Sequence, residues 1–483
     1  MKPSAGAPSQ ALLRTLRHSR RSSPACTGCR PAAAALFGAL LAILPAGLTL
    51  AASPYESTYV PLPTETTLIR GVALLTGDGS ALDRADVLLK DGRIAAVKAG
   101  SAKLAKRASG RVIDGDGKWL TPGIIDVHSH LGTYPSPSVA STADGNEMTS
   151  PNTAEVWVEH SVWPQDPQFG LALAGGVTTL HILPGSANLF GGRGVTLKNV
   201  PARTMQGMKF PGAPQSLKMA CGENPKRVYG ERLRSPMTRM GNVAGYRSAW
   251  VKAKAYREKR RQFESGEAEA PPERNLALDT LAAVLDGEIL VHNHCYRADE
   301  MAVMMDIAEE FGYAITAFHH ATESYKIADL LAEAGICSAV WADWWGFKLE
   351  AFDGITQNAA LIDAAGACAI IHSDSEEVIQ RLNQEAAKAM TAGRRMGMAI
   401  SDGQAMAWIT GNAAQALGLA EETGTLSVGK AADAVLWSHH PFSVYARAEK
   451  VWIDGHLYYD RSDRARQPVS DFDLGQTVAG GEG

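Results

Sequence analysis

The stretch Gly123-Ile-Ile-Asp-Val-His-Ser-His130 joins an apolar run to two histidines that lie one residue apart. A short apolar run of this kind is typical of a strand that is buried on both faces. Side chains alternate between the faces of a strand, so His128 and His130 point the same way and can reach one cation. The stretch predicts a metal site at a strand end, with ordinary core or surface histidines as the alternative.

Three later apolar runs also end in residues that bind metals or transfer protons. They lead into His292-Asn-His294, His319-His320 and His372-Ser-Asp374, and a helical pattern follows each of them. Parallel strands that are joined by helices show this order. The carboxyl ends of the strands of a parallel barrel share one face, where barrel enzymes build their sites. We therefore expect these polar side chains to meet at one end of a barrel.

The strand-like runs number about eight, as a (β/α)₈ barrel requires. Their limits are 123–130, 176–183, 194–198, 217–221, 288–294, 313–320, 336–341 and 367–374. Helical patterns occupy 298–310, 326–334, 355–365 and 376–392. A glycine stands just past the end of each, as expected for C-caps: Gly312, Gly335, Gly366 and Gly393. The predicted fold class is α/β, with a TIM-like barrel.

Short strand-like segments flank the predicted barrel on both sides in the sequence. The turn dipeptides Asp91-Gly92 and Asp116-Gly117 separate the N-terminal ones, and the C-terminal ones have the same style. We expect the two ends to pair into a small discontinuous β-sandwich. The predicted limits are 60–121 and 421–465 for the sandwich, 122–420 for the barrel and 466–483 for a flexible tail. Three histidines of the sandwich are expected to be structural: His439, His440 and His456.

The N-terminal segment 1–52 has the order of a secretory signal. Residues 14–30 are rich in arginine and contain no acid, residues 31–52 are uncharged and mostly apolar, and small residues precede Ser53. The order predicts cleavage near Ser53 and a periplasmic or secreted protein. An uncleaved membrane anchor is the alternative, against which Pro45 and Gly47 argue.

Composition and charge fit a large globular enzyme. The chain has 483 residues and a net charge of −4, which gives no sign of nucleic-acid binding and leaves the oligomeric state open, a homo-oligomer included. The charged segment 252–274 predicts an exposed helix and linker, with a lid over the site as the alternative. The cysteines beyond residue 52 lie on or beside predicted strands and are expected to be small buried apolar residues: Cys221, Cys295, Cys337 and Cys368.

Taken together, these motifs resemble the amidohydrolase superfamily of metal-dependent hydrolases, in its imidazolonepropionase-like and prolidase-like branch. The resemblance runs from about Thr67 to Asp460, and its pieces lie at 121–130, 175–179, 294–300, 320–323, 372–374 and 424–435. It implies a barrel that holds one or two divalent cations. The implied ligands are first-strand histidines, a bridging group from the fourth strand, histidines of the fifth and sixth strands, and an eighth-strand aspartate that acts as a base.

The resemblance assigns roles to single residues of this sequence. His128 and His130 correspond to ligands of the more buried metal, His294 and His320 to the ligands of the fifth and sixth strands, and Asp374 to the catalytic aspartate. Imidazole and carboxylate ligands without thiolates favour Zn²⁺, with Mn²⁺ or Fe²⁺ as alternatives.

Three further residues are harder to place from the sequence. Lys218 resembles the lysine that becomes carboxylated in binuclear relatives, and its carbamate oxygens could hold both cations. Glu223 is the alternative bridge. The remaining alternative is that Lys218 is an ordinary surface lysine. His292 shares a face with His294, so we expect it to contact the substrate or support the ligands. His319 should point to the opposite face from His320 and pack between strand and helix.

The implied activity is hydrolysis of a C–N amide bond in a small molecule, a dipeptide or an N-acyl amino acid by a metal-activated hydroxide. Asp374 would take the proton of the attacking water and pass it to the leaving nitrogen. Arg193 and Arg297 are candidates for binding a substrate carboxylate. A cyclic-amide hydrolase like imidazolonepropionase is one alternative, and a non-catalytic scaffold without metal is another. The intact ligand set favours an enzyme.

Overall fold

The computed structural model describes residues 55–100 and 110–468. The predicted signal segment and most of the predicted tail lie outside the described residues. Within them, sixteen strands are found: β1 Thr67–Leu75, β2 Ala81–Lys90, β3 Arg93–Ala99, β4 Arg111–Asp114, β5 Trp119–Pro122, β6 Ile124–Ser129, β7 Val177–Ile182, β8 Phe190–Lys198, β9 Gln215–Ala220, β10 Ile289–Cys295, β11 Ala317–His320, β12 Cys337–Val340, β13 Ala369–Ile371, β14 Ala434–Trp437, β15 Ala448–Ile453 and β16 His456–Asp460.

Ten α-helices connect these strands in the described parts of the chain: α1 Pro167–Ala174, α2 Glu223–Gly230, α3 Arg239–Glu264, α4 Leu276–Leu285, α5 Ala298–Phe311, α6 Ala328–Ala334, α7 Asn358–Ala364, α8 Leu382–Arg395, α9 Asp402–Ala407 and α10 Gly411–Ala416. Gly312 and Gly335 are left-handed C-caps of α5 and α6, as predicted. The prediction for Gly393 is wrong, because this residue lies inside α8. A Cβ there would come within 2.6 Å of Ala360 Cβ, so glycine permits close packing at this point.

The barrel sheet contains eight strands in the order β13-β12-β11-β10-β9-β8-β7-β6. Its two edge strands nearly meet, because the backbone N–H of Asp374 donates to the carbonyl of His128 at 3.1 Å. Residues 408–409 lie between the same edges and accept hydrogen bonds from Ile371 and Ile125. The result is a nearly closed barrel of eight strands, each of which overlaps one predicted run.

Strand β8 departs from the all-parallel arrangement that the sequence predicted. It runs antiparallel to both β7 and β9, whereas the other neighbouring strands of this sheet are parallel. Only residues 183–189 separate β7 from β8, which is too short for the crossover that a parallel pair needs. Strand and helix therefore do not alternate strictly in this part of the barrel.

The second sheet combines strands from both ends of the described chain. Its order is β16-β15-β14-β5-β1-β2-β3, and β4 also pairs with β1. The junction between the two ends is an antiparallel pair of β5 and β14, with Leu120 opposite Leu436. Both leucines and Trp452 are buried in a separate apolar core. The pairing of the two chain ends is as expected, while the two-layer sandwich and the domain limits remain predictions.

The charged segment 252–274 forms the end of α3 and the linker to α4, as the sequence predicted. Among the described helices, none is both long enough and apolar enough to cross a membrane.

The four described cysteines form two disulfides, which corrects the expectation of isolated buried residues. Cys221 pairs with Cys295 across β9 and β10, and Cys337 pairs with Cys368 across β12 and β13. Their Cα atoms are 5.1 and 4.4 Å apart, within the range that a disulfide bridges. Pairing depends on which strands become neighbours and in which register, so single positions in the sequence could not reveal it.

Candidate metal centre and active site

The predicted ligands converge at the carboxyl ends of the barrel strands. Asp374 Oδ1 lies 3.3 Å from His130 Nε2 and 3.5 Å from His128 Nε2, and Asp374 Oδ2 lies 3.8 Å from His320 Nδ1. The ring of His294 is 4.6 Å from that of His320, measured between centroids. The end of β6 thus places His128 and His130 in a single cluster with His294 of β10, His320 of β11 and Asp374 after β13, as the strand-end argument predicted.

Asp126 holds the edge strands of the barrel together beneath this cluster. Its buried carboxylate accepts hydrogen bonds from the backbone N–H groups of His128 and Ser373, both at 3.2 Å, and from the Ser373 hydroxyl. These bonds fix the end of β6 against the turn that carries Asp374. Asp126 is part of the first-strand motif, but its role could not be predicted from the sequence, because these hydrogen bonds form only when the barrel closes.

The donor atoms of the cluster fit a divalent cation. Two sets of three have all their donor atoms within 4.8 Å of one another: His128, His320 and His372 in one, and His128, His130 and Asp374 in the other. The buried His320 Nδ1 and both ring nitrogens of His372 have no hydrogen-bond partner within the described residues. Buried polar atoms normally have partners, so these nitrogens suit coordination of an ion.

His372 joins the cluster although the sequence analysis gave it no role. It stands two residues before Asp374, and its ring stacks 5.1 Å from that of His128. The signal was present in the motif His372-Ser-Asp374, because two residues along an extended segment bring side chains to the same face.

Burial keeps four histidines of the cluster neutral, which is the form that can bind a metal. It lowers the pKa of His128, His294 and His320 well below the ordinary value, and the pKa of His372 to about 4. Each neutral ring therefore offers one lone pair.

Lys218 lies inside the cluster, as predicted for the bridging residue. Its side chain is buried on β9, and its Nζ is 3.3 Å from His128 Nε2. Burial lowers its pKa to about 7, which makes the uncharged amine accessible at neutral pH. No carboxylate of the described residues is within ion-pair distance of it. The surface-lysine reading is therefore wrong.

Glu223, the alternative bridge, has a different environment. It begins α2 at the wall of a cavity that opens above the cluster, and its Oε1 lies 3.4 Å from Lys348 Nζ. The turn into α2 requires Gly222, which has φ +80° and whose Cβ would lie 2.8 Å from Glu350. Glu223 thus forms an ion pair in the wall of the cavity, whereas Lys218 lies inside the cluster.

His319 also points into the barrel, so the expectation that it packs between strand and helix is wrong. Its Nδ1 lies 2.9 Å from His128 Nδ1, and its Nε2 lies 2.8 Å from His292 Nδ1. Strand alternation fails here because His320 and Ala321 have φ of +69° and +36°. This left-handed turn lets two consecutive histidines face the barrel interior.

His292 does not contact the cavity, which corrects its predicted role in binding substrate. It is completely buried below the cluster and contacts His319. The sequence showed that it shares a face with His294, but not its depth in the barrel.

Arg193 and Arg297 also lie away from the cavity. Arg193 donates to Thr280 at 2.8 Å and stacks 4.3 Å over Trp157, in a separate cavity on the flank of the barrel. Arg297 precedes α5 and pairs with Asp299 at 2.9 Å. Both predictions of a substrate contact are wrong, because neither arginine lines the cavity above the cluster.

A cavity of about 570 Å³ opens above the cluster. Its floor contains His128, His130, His294, His320 and Asp374. Besides Glu223, its wall contains residues without a role predicted from the sequence: Tyr134, Asn146, Gly185, Ser186, Asn224, Arg227, Tyr296, Phe347 and Lys348. No residue of 252–274 lines it, so the lid alternative for that segment is wrong.

Two positively charged side chains, Lys348 and Arg227, lie in this wall. Lys348 Nζ lies 3.9 Å from the centre of the Tyr296 ring and donates to Asn224 Oδ1 at 3.2 Å. Arg227 is exposed, and within the described ranges it makes no ion pair. The wall can therefore receive an anionic group.

Comparisons with known proteins identify relatives of this chain. The profile of the amidohydrolase family matches residues 264–459. The crystal structure of an amidohydrolase from Thermotoga maritima MSB8 is 34% identical, covers 82% of this chain and 100% of its own, and has a TM-score of 0.75. Imidazolonepropionase of Brucella anthropi is 25% identical over 74% of this chain and 87% of its own length.

Another relative extends beyond the matched region. Amidohydrolase tasK of Hapsidospora irregularis is 32% identical over 434 residues, which are 82% of this chain. The match covers only 43% of the length of tasK. Since the structure from Thermotoga maritima is matched over its whole length, the chain belongs to the amidohydrolase superfamily, a family of hydrolases that act on carbon–nitrogen bonds.

Proposed function

We propose that the protein is a metal-dependent hydrolase that cleaves an amide bond in a dipeptide or an N-acyl amino acid. The observation that carries this proposal is the convergence of buried neutral histidines and Asp374 at the floor of one cavity. A bound divalent cation would polarise a substrate carbonyl and lower the pKa of water toward neutrality. The nitrogen and oxygen donors suit Zn²⁺, with Mn²⁺ or Fe²⁺ as alternatives.

In this proposal, His128, His130, His294, His320 and carboxylated Lys218 hold one or two cations. Asp374 faces both the histidines and the cavity, so it can accept the proton of the attacking water. It then returns this proton to the nitrogen as the C–N bond breaks. The proton count balances, because the water oxygen joins the acyl carbon and both water protons end on the two products.

Arg227 and Lys348 take over the carboxylate-binding role that the sequence analysis assigned to other arginines. Both line the cavity, and Lys348 is held by Asn224, Glu223 and the face of Tyr296. A carboxylate between two cations forms charge-assisted hydrogen bonds. Phe347 lines the same wall and offers an apolar surface for the substrate's side chain. These features support a substrate with a carboxylate near its amide.

We expect dipeptides and N-acyl amino acids to be hydrolysed faster than their C-terminal amides. The measurement is a screen of such pairs on protein reconstituted with Zn²⁺ or Mn²⁺. Arg227→Met should raise KM for the carboxylate substrate by about 10- to 100-fold, since a hydrogen bond to a charged group contributes about 1.5–3 kcal/mol. KM for the matching amide should stay the same. Arg297→Met, which removes an arginine outside the cavity, is the control.

The alternative is a cyclic-amide hydrolase, which the similarity to imidazolonepropionase favours. The same screen should therefore contain lactams, hydantoins and imidazolones. Activity confined to cyclic amides would replace the proposed substrate class. Protein that binds no cation and hydrolyses none of these compounds would instead be a scaffold.

We further propose that the protein is exported, with 1–52 as a signal. The two disulfides support this location, because disulfides persist in oxidising compartments. Protein recovered from its native host should begin near Ser53 and contain both disulfides, as read by N-terminal sequencing and non-reducing peptide mapping. Cytoplasmic protein with Met1 and four free thiols would contradict this proposal. An intact N-terminus in the membrane fraction would establish the anchor instead.

A further inference from the structure

Three buried histidines form a continuous line from the histidine–aspartate cluster into the barrel. His128 Nδ1 lies 2.9 Å from His319 Nδ1, and His319 Nε2 lies 2.8 Å from His292 Nδ1. Their side chains are at most 1% exposed, so water does not compete for these hydrogen bonds.

The proton positions along this line depend on one another. A neutral imidazole has one N–H and one lone pair, and each hydrogen bond between two rings needs one of each. If His128 carries its proton on Nδ1, then His319 must carry it on Nε2, and so must His292. The opposite choice at His128 reverses both hydrogen bonds. The line thus has two allowed states.

At the far end of the line, His292 interacts with the backbone of Ala416, which favours a proton on its ring. Because Nδ1 faces His319, this contact falls to Nε2, although it lies outside normal hydrogen-bond geometry. At the near end, His128 Nε2 faces Lys218 Nζ at 3.3 Å and Asp374 Oδ1 at 3.5 Å. A cation at that point needs the lone pair of Nε2, which places the proton of His128 on Nδ1.

We propose that His319 and His292 are positioning residues that hold His128 in the tautomer and ring orientation that bind the cation. His128 Nδ1–H donates to His319, and His319 Nε2–H donates to His292. Metal-binding histidines usually donate their second N–H to a carboxylate, a carbonyl or water, and such partners influence metal affinity. Here a neutral ring takes that place. The inference rests on the cation binding of the proposed function and does not depend on the reaction.

The test measures cation affinity by competition with a chelator. His319→Leu should weaken Zn²⁺ binding by about 10- to 100-fold. His319→Asn should restore most of the affinity, because its amide oxygen lies near the place of Nδ1 and can accept from His128. A purely structural role would give equal losses for both variants. His440→Leu is the control, since His440 bonds to Asp402 and lies outside both the line and the cavity. Its affinity should stay within about twofold of wild type.

A second measurement does not depend on the folding of any variant. Nitrogen NMR of the zinc-loaded wild-type protein with ¹⁵N-labelled histidine should show a proton on Nδ1 of His128 and on Nε2 of both His319 and His292. Wild-type affinity in a folded His319→Leu, or a proton on Nδ1 of His319, would overturn the proposal. Neither readout uses turnover, so an absence of amide hydrolysis would count against the proposed function alone.

Discussion

Replacing Asp374 with asparagine is expected to lower the turnover number by about 10²- to 10⁴-fold, the usual effect of losing general acid–base catalysis. Asparagine keeps the size of the side chain and one carbonyl oxygen, but it cannot accept the proton of the attacking water. Asp374 is the carboxylate that lies beside the ring nitrogens of His130 and His128, at 3.3 and 3.5 Å. The loss should appear in kcat on the substrate that the screen identifies, with at least one metal retained.

The control for this prediction is Asp343→Asn. Asp343 lies in the loop after β12 and pairs with Lys388 at 2.8 Å, outside the cavity. Its turnover should match wild type, and excess metal should not restore activity to Asp374→Asn. Near-wild-type turnover in Asp374→Asn would show that another residue is the base. His319 is unsuitable as a control, because it contacts His128 directly.

Replacing Lys218 with methionine is expected to reduce the metal content from about two ions per chain to about one, with a loss of turnover of at least about 10²-fold. Metal ions contribute several kcal/mol to stabilisation of the transition state, and a carbamate on Lys218 would supply oxygen ligands for a second ion. Elemental analysis of protein grown with Zn²⁺ and bicarbonate measures the first effect. In addition, ¹³C-labelled bicarbonate should produce a carbamate carbon signal in wild type that is absent from Lys218→Met.

Lys348→Met controls for the removal of a lysine from the same region, and it should retain both metals. A single metal per chain and no carbamate signal in the wild-type protein would contradict the proposed bridge. Glu223→Gln would then show whether the alternative residue binds a cation.

The sequence predicted the barrel and the cluster well because both depend on short-range patterns. Apolar runs that end in polar residues identified strands β6, β10, β11 and β13 and the residues at their ends. Parallel strands bring such ends together by geometry, so His128, His294, His320 and Asp374 could be placed in one site without coordinates.

The sequence could not reveal features that depend on which segments become neighbours. The direction of β8, the two disulfides and the partners of Arg193 all follow from strand order and register. Arg227 belongs to helix α2 and Lys348 to the loop after β12, and only the folded chain brings both into the wall of one cavity.

By itself, the sequence determined the α/β class, the strand ends and the types of residue that bind a metal, because a period of two and a run of apolar residues are local properties. Only the tertiary structure decided the environment of each side chain. His319 illustrates the difference. Strand alternation predicted that it points away from the cluster, whereas the left-handed backbone at His320 lets both residues face the barrel interior. Depth, neighbours and local backbone conformation are properties of the packed chain, and they separate a ligand from the residue that positions it.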